Sequence, residues 1–181
     1  MKTKTLLLLM ITFSLSSCLK EEGEWIKMTV PAGQHETADK PRWSYKRHQE
    51  FKLRFNHTVI TDTVINQINK VFGMSDGILH QQHSARVGYR WLGEYIGLYG
   101  YYRISGEMHW NTDPLYKAQP NEVMTGSLTI GDFKYKACIN GNCFEMDRAR
   151  TGFTMLSYNL YHYFGGRTPA PHDTNVYIMF L

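Results

Sequence analysis

Long apolar runs are scarce in this chain of 181 residues. The longest, Leu6 to Phe13, falls well short of the ~20 residues a bilayer-spanning helix needs. Cysteine is also rare: the three are Cys18, Cys138 and Cys143. No Cys-x-x-Cys or His-Glu-x-x-His pattern occurs, which removes the common zinc frameworks. Charge of one sign is lacking too. A formal net charge of +4 gives no support to a nucleic-acid partner. The Glu-x-Asp-x-x-Glu signature of a jelly-roll hydrolase is absent, and no internal repeat is visible.

The N-terminus carries an address. Lys2 and Lys4 precede the short apolar run, and Leu15-Ser16-Ser17-Cys18 follows it, the layout of a secretory signal peptide over residues 1–17. The cysteine after Leu-Ser-Ser resembles a bacterial lipobox. That resemblance implies lipidation of Cys18, export and anchoring to the bacterial outer membrane. Removing residues 1–17 takes away Lys2 and Lys4 and no acid, so the formal charge of +4 falls by two. Residues 18–24 read as a charged tether, and residues 25–181 as one domain that begins with the strand-like Trp25–Val30.

Alternation of apolar and polar residues predicts strands at Phe51–Phe55, Arg86–Trp91, 94–105, Val123–Ile130, Phe133–Ile139, 153–163 and Thr174–Leu181. Ile65, Ile68, Val71 and Phe72, closed by Gly73, fall at helical spacing, so residues 64–73 are expected to form one short helix. Many short strands with frequent turn residues indicate an all-β antiparallel sandwich, best matched by a jelly roll of concanavalin or lectin type. An immunoglobulin sandwich fits less well, because its long inter-sheet cysteine spacing is missing. Asn140-Gly141 is a two-residue hairpin signal. It sets Cys138 opposite Cys143 at a Cα separation of about 4.5 Å, within disulfide range. Free thiols or a metal pair are the alternatives.

Potential chemistry concentrates between Asp76 and Trp91. His80 and His83 converge only if they occupy a loop or helix end, and zinc would need further ligands, so no metal or cofactor is expected. Arg86 and Arg90 share the strand face opposite Val87, Tyr89 and Trp91. With Tyr95, Tyr99 and Tyr101 on a neighbouring strand, they offer guanidinium groups for carboxylates or sulfates and rings for sugars. His172 and Asp173 close a second stretch, Tyr161–Asp173, whose loop is expected to meet the 76–86 loop at the sandwich mouth. Three functions follow. The first is an acidic-glycan-binding module using His80, His83, Arg86, Arg90, Tyr95, His172 and Asp173. The second is a polysaccharide lyase using Arg86, His83 and a tyrosine. The third is a structural or assembly lipoprotein without a small ligand. The motifs of jelly-roll alginate lyases, Arg-Ser-Glu-Leu-Arg and Gln-Ile-His, are absent, and Glu94, Glu107 and Asp113 form no hydrolase pair.

The strings Ile68-Asn69-Lys70-Val71-Phe72-Gly73-Met74-Ser75-Asp76, His80 to Trp91 and Tyr163-Phe164-Gly165-Gly166 to Ala170-Pro171-His172-Asp173 resemble small secreted lipoproteins of Bacteroidetes-type bacteria. The resemblance implies an exported, lipid-anchored, lectin-like sandwich and carries no mechanism.

Overall fold

In His48–Phe55 the side chains of Phe51, Leu53 and Phe55 are fully buried while Lys52 and Arg54 between them are half-buried. This is the period of a strand with one face in a core. The computed structural model describes residues 23–38, 42–61, 67–149, 157–166 and 168–181. The signal segment, Cys18 and Ile65 lie outside them, as do residues 153–156. The strands in chain order are β1 (Ile26–Val30), β2 (Arg42–Ser44), β3 (His48–Phe55), β4 (Asn69–Ser75), β5 (Ser84–Trp91), β6 (Ile96–Ile104), β7 (Glu107–Trp110), β8 (Tyr116–Ala118), β9 (Val123–Ile130), β10 (Lys134–Ile139), β11 (Asn142–Asp147), β12 (Ser157–Leu160) and β13 (Thr174–Phe180).

Two antiparallel sheets result. The first runs β1-β13-β3-β9-β10-β11; the second runs β2-β12-β4-β5-β6-β7, with β8 paired to the other half of β6. They pack face to face as a jelly-roll sandwich. Phe51, Leu53, Leu128, Tyr135 and Ile178 from one sheet meet Phe72, Met74, Val87, Tyr89 and Leu98 from the other in a single core cluster.

The expected helix over residues 64–73 is corrected where it is described, since Asn69–Ser75 is a strand. A β-bulge shifts the register between Lys70 and Phe72 and leaves the adjacent Val71 and Phe72 both in the core. Two consecutive buried residues mimic the helical repeat. Among the described residues the one helical piece is a 3-10 turn, His57–Val59, capped by Asn56, whose Oδ1 accepts from Thr58 N (3.1 Å).

The hairpin forms as read. Ile139 pairs with Asn142, Cys138 pairs with Cys143, and Asn140 and Gly141 take positive φ of 46° and 84°. The cysteines are bridged at a Cα separation of 4.1 Å.

Candidate functional site

Turning Ala85, Val87 and Tyr89 into the core sends Arg86, Gly88 and Arg90 to the outer face of the second sheet. On β6, Leu98 and Tyr102 point inward, and Tyr99, Tyr101 and Arg103 outward. Strand register aligns these residues in rows across the sheet. One row runs from Trp43 to Tyr158, whose N–H donates to Ser75 Oγ (2.8 Å), and on through Ser75, Ser84, Arg103 and Met108. The next holds Gly73, Arg86, Tyr101 and Trp110.

Arg86 lies at the centre. A Cβ on Gly73 would fall 2.6 Å from Arg86 Cγ and 2.9 Å from the Ala85 carbonyl oxygen, so only glycine lets the arginine stem lie flat on the sheet. The residue is 8% exposed. Its Nε donates to Ser84 Oγ (3.2 Å), and its Nη2 is buried with no hydrogen-bond partner among the described residues. Burial pushes its pKa down to about 10.

Lys70, on β4, holds its Nζ 4.7 Å from the centre of the Tyr101 ring and 5.4 Å from that of Tyr163. Tyr163 is fixed there by two backbone hydrogen bonds with Lys70, each 2.8 Å. Burial, then the charges of Arg86 and Arg103, push Lys70 down to about 8. Arg103 donates to the Gly106 carbonyl (2.7 Å). Three cations thus share one patch. Strands β4, β5 and β6 contain no Asp or Glu at all.

His80 overhangs the patch. Its Nδ1 is hydrogen-bonded to the Tyr158 hydroxyl, which also reaches the Ile78 carbonyl (3.2 Å). Burial and the nearby Arg86 lower the His80 pKa, and the exposed Glu36 opposes them in part. The loop carrying His80 is closed by Asp76 N donating to the His83 carbonyl (3.0 Å). Asp76 itself is locked by Arg148, with contacts of 2.8 and 2.9 Å, and by the Tyr135 hydroxyl at 2.6 Å.

The structure therefore brings together His80 and Arg86. Arg90 shares their face, its Nη2 donating to the Tyr99 hydroxyl (3.3 Å). It does not bring in the others. His83 faces the turn at Ser105, whose N–H lies 3.5 Å from its Nδ1. Tyr95 precedes β6 at the far end of the β5–β6 hairpin and stacks under Lys117. His172 bonds the Thr58 carbonyl (2.8 Å), and Asp173 accepts from Ala32 N (2.9 Å). Both sit beyond the Phe55 end of β3, while Asp76 is tied through Arg148 to Gly131 at the other end of β9. The expected meeting of the two loops is corrected: a strand as long as β13 carries its preceding loop to the opposite end of the sandwich.

Lys70, Arg103, Tyr158 and Tyr163 belong to the patch and escape the sequence reading. Arg103 was available from alternation, two residues beyond Tyr101. Glu94 lies in the turn before β6, Glu107 is exposed on the edge strand near His109 (3.7 Å), and Asp113 is exposed. None faces Arg86 as a paired acid. Among the described residues no three His, Cys, Asp or Glu side chains converge to hold a metal.

No protein-family model matches the chain, and no curated protein matches it. Solved structures do share its fold. A family 16 glycoside hydrolase from the Bacteroides ovatus mixed-linkage-glucan locus, solved with its product, is 14% identical and aligns over 88% of this chain and 81% of its own, with a TM-score of 0.52. A Bacillus licheniformis β-glucanase is 10% identical over 86% of this chain and 76% of its own, at 0.51. A Pseudomonas aeruginosa alginate lyase is 15% identical over 76% of this chain and 64% of its own, at 0.50. At such identities the likeness establishes the jelly roll. The chemistry has to come from the residues.

What the patch can do follows from its parts. A buried guanidinium with a spare N–H, beside an ammonium and a second guanidinium, grips an anionic group. The His80–Tyr158 pair can hold or pass a proton.

Proposed function

We propose that the protein is a cell-envelope module that binds acidic glycans on the outer face of the second sheet, exported and held to the outer membrane through lipidated Cys18. The observation that carries the binding role is Arg86. A buried charge is destabilising unless something neutralises it; among the described residues no acid pairs with Arg86, and β4–β6 contain none. A bound carboxylate or sulfate would complete the hydrogen bonding. Glycan-binding jelly rolls are also the company this fold keeps, which is analogy and carries less weight. The Lys2–Cys18 signal supports the anchor, and loss of labelled-lipid incorporation in Cys18→Ala would test it.

Calorimetric titration with acidic oligosaccharides tests the site. Arg86→Met is expected to weaken binding by about 2 kcal/mol or more, roughly 30-fold, while the melting temperature stays level or rises. Equal affinity of variant and parent, or no binding of acidic glycan by the parent, would end the proposal.

A second reading has its own observation. His80 and Tyr158 are hydrogen-bonded beside Arg86, so a uronate held by the arginine would present its α-proton to an acid–base pair, as β-elimination requires. This replaces His83, named from the sequence, with His80. Accumulation of unsaturated uronate, read by ultraviolet absorbance and abolished in Tyr158→Phe, would favour a lyase.

A further inference from the structure

We infer that the ligand is a sparsely charged heteroglycan: a run of neutral sugars with one acidic group at an internal position, laid across the strands of the second sheet. This rests on the acidic-glycan reading and adds how charge is distributed along the ligand.

The row from Trp43 to Met108 crosses six strands. Five steps of ~4.8 Å make a strip about 24 Å long, the span of a short oligosaccharide rather than a single sugar. Among the described residues, its positive charge sits on the inner strands β4, β5 and β6. Lys70, Arg86 and Arg103 all sit on β4, β5 and β6 and act on one another. The buried Nη2 of Arg86, without a hydrogen-bond partner among the described residues, marks where one anion would seat.

Among the described residues, the two ends are aromatic. At one, Trp43 is 65% exposed and meets Tyr158 edge-on at 5.7 Å. At the other, Trp110 is 47% exposed and lies parallel to Tyr101 at 6.2 Å, with the exposed Met108 beside it. Such surfaces suit the C–H faces of uncharged sugars. An acid also stands on one flank: Glu36 is exposed, bridged to Tyr163 and close enough to act on His80. A glycan charged at every residue would set carboxylates or sulfates against apolar rings and against Glu36. A glycan charged once, with neutral neighbours on either side, meets complementary surface throughout.

The experiment is calorimetric titration of the protein, at fixed ionic strength, with three oligosaccharides of equal length. One is neutral, one carries a single internal uronate, and one carries a uronate at every residue. The singly charged chain is expected to bind tightest, by about tenfold over the other two. Trp43→Ala and Trp110→Ala should each weaken it about five- to tenfold and leave binding of a simple methyl uronoside unchanged. Because both tryptophans are exposed, unchanged melting temperatures should confirm that the variants fold. Equal or tighter binding of the fully charged chain would overturn the inference while leaving acidic-glycan binding intact, as would silence of both tryptophan variants. Failure of every charged ligand to bind would overturn the underlying reading and the inference with it.

Discussion

Lys70 and Arg86 are placed against the interest of the fold. Each is a cation withdrawn from water, with other cations as its charged neighbours. For Lys70 this produces two opposite pH slopes. Its pKa is about 8 in the folded protein against 10.5 ordinarily. Between those values the unfolded chain binds more protons than the folded one, so stability of the free protein rises with pH across that window. Affinity for an anion should do the reverse, falling as pH passes through about 8 and the ammonium is lost. Titrations in buffers of different ionisation enthalpy should show proton uptake on binding near that pH, and Lys70→Met should abolish it. An affinity flat from about pH 7 to about pH 9 would remove Lys70 from the site. Arg86 was visible in the sequence because β5 alternates cleanly. Lys70 was hidden because the bulge beside it imitates a helix, and Tyr158 because only register brings it to the patch.

At the scale of elements, the hairpin and the β4–β5 loop show two kinds of legibility. Asn140-Gly141 specifies its own turn by backbone preference, so strand pairing and disulfide follow from local residues. The 76–83 loop is fixed instead by Arg148, which is 72 residues from Asp76 in the chain, and no local pattern announces such a partner. That ion pair is 1% exposed on both sides and is completed by the Tyr135 hydroxyl and the Gly131 carbonyl. Removing one member leaves a buried charge and stranded hydrogen-bonding groups. Arg148→Ala should therefore cost about 3–5 kcal/mol, a drop in melting temperature of roughly 10 °C for a domain of this size. The loop presenting His80 should loosen with it, so ligand affinity should fall as well. A negligible thermal shift would show that the loop is held mainly by its own turn and by Tyr158.

Across the whole molecule, jelly-roll topology decides which loops share an end. β3 and β9 are antiparallel, with His48 opposite Thr129 and Arg54 opposite Val123, and β13 enters beside Phe55. Whatever precedes β13 lies at the Phe55–Val123 end, whereas Asp76 is pinned at the Ile130 end. The sandwich class was readable from alternation and turn residues. Strand order was not, because one-dimensional periodicity says which face a residue takes and nothing about its neighbours. The consequence is a separation of roles that substitution can expose. His172 and Asp173 each tie their loop by one hydrogen bond to backbone, at Thr58 and Ala32, worth about 1 kcal/mol apiece. Distant sites contribute independently, so His172→Ala with Asp173→Ala should lower stability by about 2 kcal/mol and leave glycan affinity untouched. His80→Ala should do the opposite: the half-buried ring adds little to the core, yet it overhangs the cationic patch and orients Tyr158. Thermal unfolding and calorimetric binding on the same variants separate the two cases. Lost affinity in the His172–Asp173 variant would mean that the ligand reaches the far end of the sandwich, and the outer face of the second sheet would then no longer be sufficient as the site.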